Sequence, residues 1–510
     1  MLATTLCYGL GGIEGVQITV EVNLSAGLPM FDIVGLPDAA VKEARERIRA
    51  ALKNRGYAFP GDRITVNLAP ADLKKEGPAF DLPIAIGILA CTRKVNPASI
   101  ADTAILGELA LDGTLRPVRG ALPSAISARG HGVKQMILPA ANAREVSCVD
   151  GIRLIPAQNL DQVVRHLSGV EPIAPIETVG YQALLGQRLI AADFKYVKGQ
   201  KSAKRALEIA AAGGHNVLMV GPPGSGKTLM ARCVPSILPD MTFDEALVTT
   251  RIHSVAGCAP ESGLLTERPF RSPHHTASHV SLVGGGLHAT PGEISKAHNG
   301  VLFLDELPEY RRDVLEALRQ PMEDGFVTIT RVSAQSTYPS EFMLICSMNP
   351  CPCGNFGSKT RECRCTPNDI RKYLNRISGP LLDRIDIIVE VPALEFDELT
   401  EPSAGEPSRA IRARVNAARA VQRARYGDDT TTTNAHMGPR ALAEFCALSP
   451  ECEQLMHQAI DSMALTARSY DRILRVARTI ADLDGAETIG LAHLAEAIQY
   501  RTYDFSVTEP

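Results

Sequence analysis

Residues 221 to 228 read GPPGSGKT, and no other stretch of the chain restricts its fold so tightly. The pattern G-x-x-x-x-G-K-[ST] is a phosphate cradle, to which Gly221, Pro222, Pro223, Gly224, Ser225, Gly226, Lys227 and Thr228 each contribute. Its glycines let backbone N–H groups converge on phosphate oxygens. Lys227 brings a cation to the β and γ oxygens, and Thr228 offers a hydroxyl to Mg²⁺. The motif works only between a strand and a helix. Residues 216–220 form an apolar run of strand length, and the periodicity after Thr228 predicts a helix. An ordinary glycine turn lacks both flanks, so the chain is expected to bind ATP with Mg²⁺.

A second half of such a site follows. Residues 301–306, VLFLDE, place four apolar residues ahead of two carboxylates, as a buried strand with acids at its end does. Asp305 is expected to hold Mg²⁺ through water, and Glu306 to polarise the attacking water. Three further residues fit the same chemistry. Asn349 follows a strand predicted at 342–346 and is placed to orient that water. Arg384, within LLDRID, is suited to enter a neighbouring subunit's site as an arginine finger. Arg472 lies on a C-terminal helix expected to close over the nucleotide. Such cations stabilise the charge spread over a transferring phosphoryl group.

The site sits in the middle of a chain of 510 residues, long enough for several domains. Residues 1–167 alternate strand-like and helical runs and form an α+β or α/β unit. Strands are predicted at 16–22, 64–68, 104–109 and 136–138. A charged helix with an apolar stripe at Val41, Ile48 and Leu52 spans 38–55, and a buried helix 82–90. Residues 168–199 read as a linker, 200–392 as a parallel α/β core, and 393–510 as a helical domain. A net charge of −4 carries no global signal for nucleic acid, so any such contact must come from local patches. No apolar run reaches the ~20 residues of a membrane span. The opening MLATTLCYGLGG lacks the basic start and cleavage pattern of a secretory signal, so a cytoplasmic chain is expected.

Several stretches are recognisable together. RPFRSPHHTAS (268–278), GGGLHATPGEISKAHNGVLFLDELPE (284–309), MNPCPCG (348–354) and LRVARTIADL (474–483) resemble the YifB/ComM family of magnesium-chelatase-like AAA+ ATPases. The resemblance covers nearly the whole chain. It implies an AAA+ parallel sheet with a C-terminal helical lid, a homo-hexameric ring with Arg384 acting in trans, and a motor on single-stranded or branched DNA. For members of the ComM type it implies branch migration in natural transformation and recombination. The competing reading is a remodelling or chelatase-type ATPase acting on a partner protein. Within residues 1–167, KKEGPAFDLPIAIGIL and GELALDGTLRPVRGAL resemble the peptidase domain of Lon-type proteases, a ribosomal-S5-domain-2-like α+β fold. Ala79 and Leu122 stand where that family places its serine and lysine. Without hydroxyl and amine there is no activated nucleophile, and no peptidase activity is expected.

Of the 12 cysteines, four are clustered as C-x-C, nine residues, C-x-C: Cys351, Cys353, Cys363 and Cys365. Four thiolates on two short loops can enclose Zn²⁺ tetrahedrally, although the spacing is tighter than the usual C-x₂-C. On sequence the cluster reads as structural zinc, as reduced thiols or as a redox site. Around the cluster, Lys359, Arg361, Arg364, Arg371, Lys372 and Arg376 face only Glu362 and Asp369, a local excess suited to a phosphate backbone or to a solvated loop. Residues 409–425 carry six arginines and no acid, at a spacing that also fits an exposed helix. Residues 326–336 alternate like one hairpin arm with Arg331 near the turn, and 271–286 carry His274, His275 and His279 among glycines. Both are candidate channel loops rather than metal sites.

Overall fold

The computed structural model describes residues 1–185, 192–260, 263–286, 289–331, 334–357, 361–394, 405–427, 433–463 and 465–503. Of the features read above, Lys359 and parts of the linker and of the 393–510 domain lie outside them, as does the side chain of Arg331.

The first unit is a seven-stranded mixed sheet. Across it the strands run Met30–Val34, Arg63–Ala69, Glu14–Ser25, Leu2–Gly11, Thr103–Ile105, Gln135–Pro139 and Arg153–Ala157. Its centre is the antiparallel pair Leu2–Gly11 and Glu14–Ser25, whose alternating burial follows the two-residue period of the pleat. Helix Asp81–Cys91 lies across that pair and is buried at every position, which suits a segment apolar on all sides. The charged helix predicted over 38–55 is two helices, Ala39–Lys42 and Ala44–Asn54, that meet at Glu43. Its stripe of Val41, Ile48 and Leu52 does face the core.

The second unit is a five-stranded parallel sheet. Its order is Phe270–Arg271, Val301–Leu304, Met343–Met348, Val217–Val220 and Ile387–Glu390. The strands in the interior of this sheet are short apolar runs, broken only by the buried Ser347, as both faces are covered. After it come the helices Ser408–Tyr426, Pro439–Phe445, Pro450–Met463, Ala467–Leu483 and Leu491–Gln499. They form one core with helix Lys201–Gly213 and one face of the parallel sheet.

Two features cross the boundaries expected from sequence. Residues from the linker segment run along the first unit, with Ile173, Ile176, Tyr181 and Leu184 packed on its core. The Val179 N–H donates to the Ser147 carbonyl at 3.0 Å. Conversely, helix Phe243–Val255 belongs in chain order to the parallel sheet, yet it packs on helix Ala121–Gly130. Met241, Ala246 and Leu264 complete the first unit's core. The Ser254 hydroxyl donates to Glu145, and Arg251 Nε to the Ile13 carbonyl at 3.1 Å. Among the described residues no helix is long and apolar enough to cross a membrane.

Candidate nucleotide site

In a parallel sheet, ligands bind beyond the carboxyl ends of the strands. Three such ends converge here. Strand Val217–Val220 runs into the phosphate loop, and helix Lys227–Cys233 starts directly after it. Gly224 and Gly226 take φ of 81° and 91°, left-handed values that glycine adopts without strain and that turn successive N–H groups inward. Lys227 is 8% exposed; its Nζ donates to the carbonyls of Gly221 at 2.7 Å and Pro222 at 2.8 Å. Burial draws its ammonium down to about 8, against a smaller opposing pull from Asp305 and Glu306.

Strand Val301–Leu304 delivers Asp305 and Glu306. The Thr228 hydroxyl donates to Asp305 Oδ2 at 2.9 Å, so the two residues expected to share Mg²⁺ already meet. Ser347 holds the other oxygen of Asp305. Glu306 is exposed and takes φ of 54°, an uncommon value for a side-chain-bearing residue, of the kind found where a site fixes its geometry. From the next strand, Asn349 Oδ1 lies 3.5 Å from Lys227 Nζ. All the residues read from the two central motifs, with Asn349, therefore share one edge of the sheet.

Two residues on this edge escaped the sequence reading. Ser347 is one. The other is His275, whose Nδ1 lies 3.8 Å from Glu306 Oε2, with the His274 ring centred 4.1 Å from its own and tilted by 34°. The histidine cluster was legible, but its partner was not, because the loop after Phe270–Arg271 is brought to Glu306 only by strand order.

The arginines stand elsewhere. Arg384 precedes strand Ile387–Glu390 and so lies at the amino edge, buried and ion-paired with Glu323. Arg472 pairs with Asp386 at the same edge, beside Asn216, whose N–H donates to Asp386 Oδ2 at 2.9 Å. Burial alone would raise the Asp386 carboxyl, but His215 and Arg472 outweigh it and hold it far below the usual range. Arg472 thus does not close over the phosphate loop of its own chain. Helix Ala467–Leu483 packs on helix Lys201–Gly213 at the amino edge, with Thr479 within 2.8 Å of His215, and this carries its arginine to the far side of the sheet.

Beyond Asn349 lies the cysteine cluster. The four Sγ atoms are all within 4.8 Å of one another, and three of the separations are 3.4, 3.7 and 3.7 Å. Tetrahedral zinc with ~2.3 Å bonds sets sulfurs ~3.8 Å apart, whereas a disulfide needs ~2.05 Å. Backbone N–H groups of Arg364 and Asn355 draw the Cys353 thiol down to about 6. Burial, then neighbouring thiolates, push Cys365 up to about 12. Four thiols at separations that match tetrahedral coordination fit a thiophilic divalent metal.

In the flanking stretch, Arg364, Arg371 and Lys372 are exposed, and Arg376 pairs with Glu309. Three of the six arginines of helix Ser408–Tyr426 are ion-paired within the chain: Arg412 to Asp240, Arg414 to Glu208 and Glu406, and Arg425 to Asp482. Strands Phe326–Arg331 and Ala334–Pro339 form the hairpin anticipated from the alternation.

A parallel sheet with a phosphate loop, an Asp-Glu strand end and a polar residue on the strand between them is the site of a P-loop nucleotide-binding protein of the AAA+ class. Comparison with known proteins narrows the class. Family models for magnesium chelatase subunit ChlI match residues 193–399, for subunit ChlI of Mg-chelatase 20–142, and for the ChlI C-terminal region 405–501. The chain is 44% identical over 494 residues to competence protein ComM of Haemophilus influenzae, covering 96% of this chain and 95% of that protein. To the uncharacterised protein YifB of Escherichia coli it is 43% identical over 497 residues, covering 97% and 96%. It belongs to the YifB/ComM family of magnesium-chelatase-like AAA+ ATPases. A weaker likeness, 23% over 166 residues (30% of this chain, 20% of that protein), links it to Lon protease 1 of Myxococcus xanthus.

Proposed function

We propose that the protein is a cytoplasmic, ATP-hydrolysing DNA motor that works as a homo-hexamer in branch migration during recombination and natural transformation. One observation carries the reading. The groups that cradle and hydrolyse ATP lie at the carboxyl edge of the sheet, while Arg384 and Arg472 lie at the amino edge. One chain cannot complete its own site, whereas a second chain can, by presenting its amino edge. Both arginines then act in trans, where the sequence reading gave that role to Arg384 alone.

Within a chain the labour divides by position. Lys227 and the loop N–H groups hold the β and γ phosphates. Thr228 and Asp305 would hold Mg²⁺, which would supply positive charge against the phosphates. Glu306 accepts a hydrogen bond from the attacking water and so polarises it, and Asn349 orients that water. Arg384 stabilises the charge spread in the transition state. Leaving its pair with Glu323 is the step that makes the arginine available. Zn²⁺ in the four-cysteine centre is the structural cofactor proposed here. The first unit, with Ala79 and Leu122 at the Lon-type positions, serves assembly or DNA guidance rather than peptide cleavage.

The DNA assignment draws support from the relative named as a competence protein and from the exposed Arg364, Arg371 and Lys372. ATPase rate is to be measured with and without single-stranded and branched DNA, followed by strand displacement and branch migration. Stimulation with unwinding is expected. No stimulation and no unwinding at low salt would instead favour remodelling of a partner protein.

A further inference from the structure

We propose that the four-cysteine centre is a clamp on the phosphate loop, so that a thiophilic divalent cation in it and a nucleotide in the ATP site strengthen each other's binding. The inference rests on the zinc reading above and adds a coupling that the reading does not require. A centre that merely closed its own loop would be indifferent to ATP.

The path between the two sites is short and consists of named contacts. Cys351 is fully buried in the same core as the strand Met343–Met348 and lies two residues past Asn349. Asn349 in turn approaches the Lys227 ammonium at 3.5 Å. Gly354, one residue past Cys353, packs directly on the phosphate loop. A Cβ added there would lie 2.5 Å from Pro223 Cδ and 3.1 Å from its Cγ, and its φ of 78° also excludes most side chains. Past the last ligand, Cys365, helix Pro367–Leu374 begins, and its Tyr373 is buried in the same core as Met348 and Cys351.

The four ligands therefore bracket two contacts with the nucleotide machinery, Asn349 before the first and Gly354 between the pairs, and Tyr373 packs on the same core after the last. The Cys351–Cys353 turn carries its own N–H···S bond, from Phe356 to Cys351 at 3.3 Å. The centre itself joins the 351–353 turn to the 363–365 segment. With the cation gone, that join is lost, and Pro223 and Asn349 lose the backing that fixes them. Nucleotide binding must then order them at its own expense, which lowers affinity. Linkage makes the effect reciprocal: ATP must hold the cation in by the same factor by which the cation holds ATP.

The test uses the full chain carrying Glu306→Gln, so that ATP stays intact. Zinc content is measured by elemental analysis. Transfer of zinc to the chromophoric chelator 4-(2-pyridylazo)resorcinol is followed with and without ATP·Mg²⁺. Affinity for a fluorescent ATP analogue is measured before removal, after removal and after zinc is restored. The expected result is one zinc per chain, with zinc-free protein binding nucleotide about tenfold more weakly, and zinc retention raised by ATP to a matching degree. Gly354→Ala, which leaves the four ligands in place, should keep its zinc yet bind nucleotide several-fold more weakly because the new Cβ displaces Pro223. If zinc is bound but neither affinity responds to the other ligand, the clamp is wrong and the zinc reading stands. No zinc in protein purified without added metal overturns both. Should removal unfold the chain, Gly354→Ala decides, and unchanged nucleotide affinity with full zinc ends the proposal.

Discussion

The Lys227 ammonium makes nucleotide affinity depend on pH in a way that can be worked out in advance. In the nucleotide-free protein it is buried, bonded to neutral oxygens of Gly221, Pro222, Ser225 and Asn349, and drawn down from 10.5 to about 8. A triphosphate supplies several negative charges at Nζ and restores the ordinary value. Above pH ~8 binding must therefore take up a proton, and the dissociation constant rises toward tenfold per pH unit. Relative to neutral pH, affinity should be roughly twofold weaker at pH 8 and about tenfold weaker at pH 9. Stability moves the other way. Between about 8 and 10.5 the unfolded chain binds more protons than the folded one, so the nucleotide-free protein gains stability as pH rises. The gain totals about 3 kcal/mol, while below pH ~8 the burial penalty is present in full. Titrating a fluorescent ATP analogue into the Glu306→Gln variant from pH 7 to 9.5 checks the first effect. Calorimetry in buffers of different ionisation enthalpy counts the proton. Lys227→Arg, which stays charged, should flatten the profile. A flat profile in the parent protein would refute the reasoning, since it would mean the buried ammonium does not titrate below its ordinary range.

Three other outcomes follow from the geometry. Glu306→Gln should bind ATP with near-parent affinity and turn it over at least ~10²-fold more slowly, since it keeps the side-chain shape and loses the charge; unchanged steady-state turnover would remove Glu306 from the mechanism. Arg384→Ala and Arg472→Ala should each lose activity alone, and each should regain part of it when mixed with Lys227→Ala, because one chain then offers an intact carboxyl edge and the other an intact amino edge. Mixed assemblies without any recovery would place both arginines in cis. Asp386→Asn leaves Arg472 and His215 facing a neutral group in a buried site, so a loss of about 3–5 kcal/mol is expected, read as a lower Tm. The parent's own contribution from Asp386, whose carboxyl is held down when folded, is complete above pH ~4 and disappears as the pH falls further.

The parts of this site that sequence disclosed are those written by contiguous residues. Gly221 to Thr228, Asp305, Glu306 and Asn349 each follow an apolar run of strand length, and parallel strands put their ends together whatever their order. The cysteine cluster was equally local, although its spacing alone left zinc and free thiols as alternatives. Arg472 fared differently. Helical periodicity places it on a helix but says nothing about which edge of a sheet that helix covers, a choice made by the packing of Ala467–Leu483 on Lys201–Gly213. His275 shows the same limit, since strand order and not spacing sets it beside Glu306. The Asp38–Arg55 region kept its predicted face but not its continuity, because an apolar stripe does not register a one-residue break at Glu43.

The helix Phe243–Val255 has a consequence for how the chain is made. Synthesis delivers the seven-stranded sheet by the end of helix Leu160–Leu167, yet Met241, Ala246 and Leu264, which finish its core, come up to about a hundred residues later. At ~5–20 residues per second the nascent first unit waits several seconds with an apolar face uncovered. Cleaving the gene between the two sheets would make that wait permanent: the first fragment would keep a hole in its core, and the second would carry the plug on its surface.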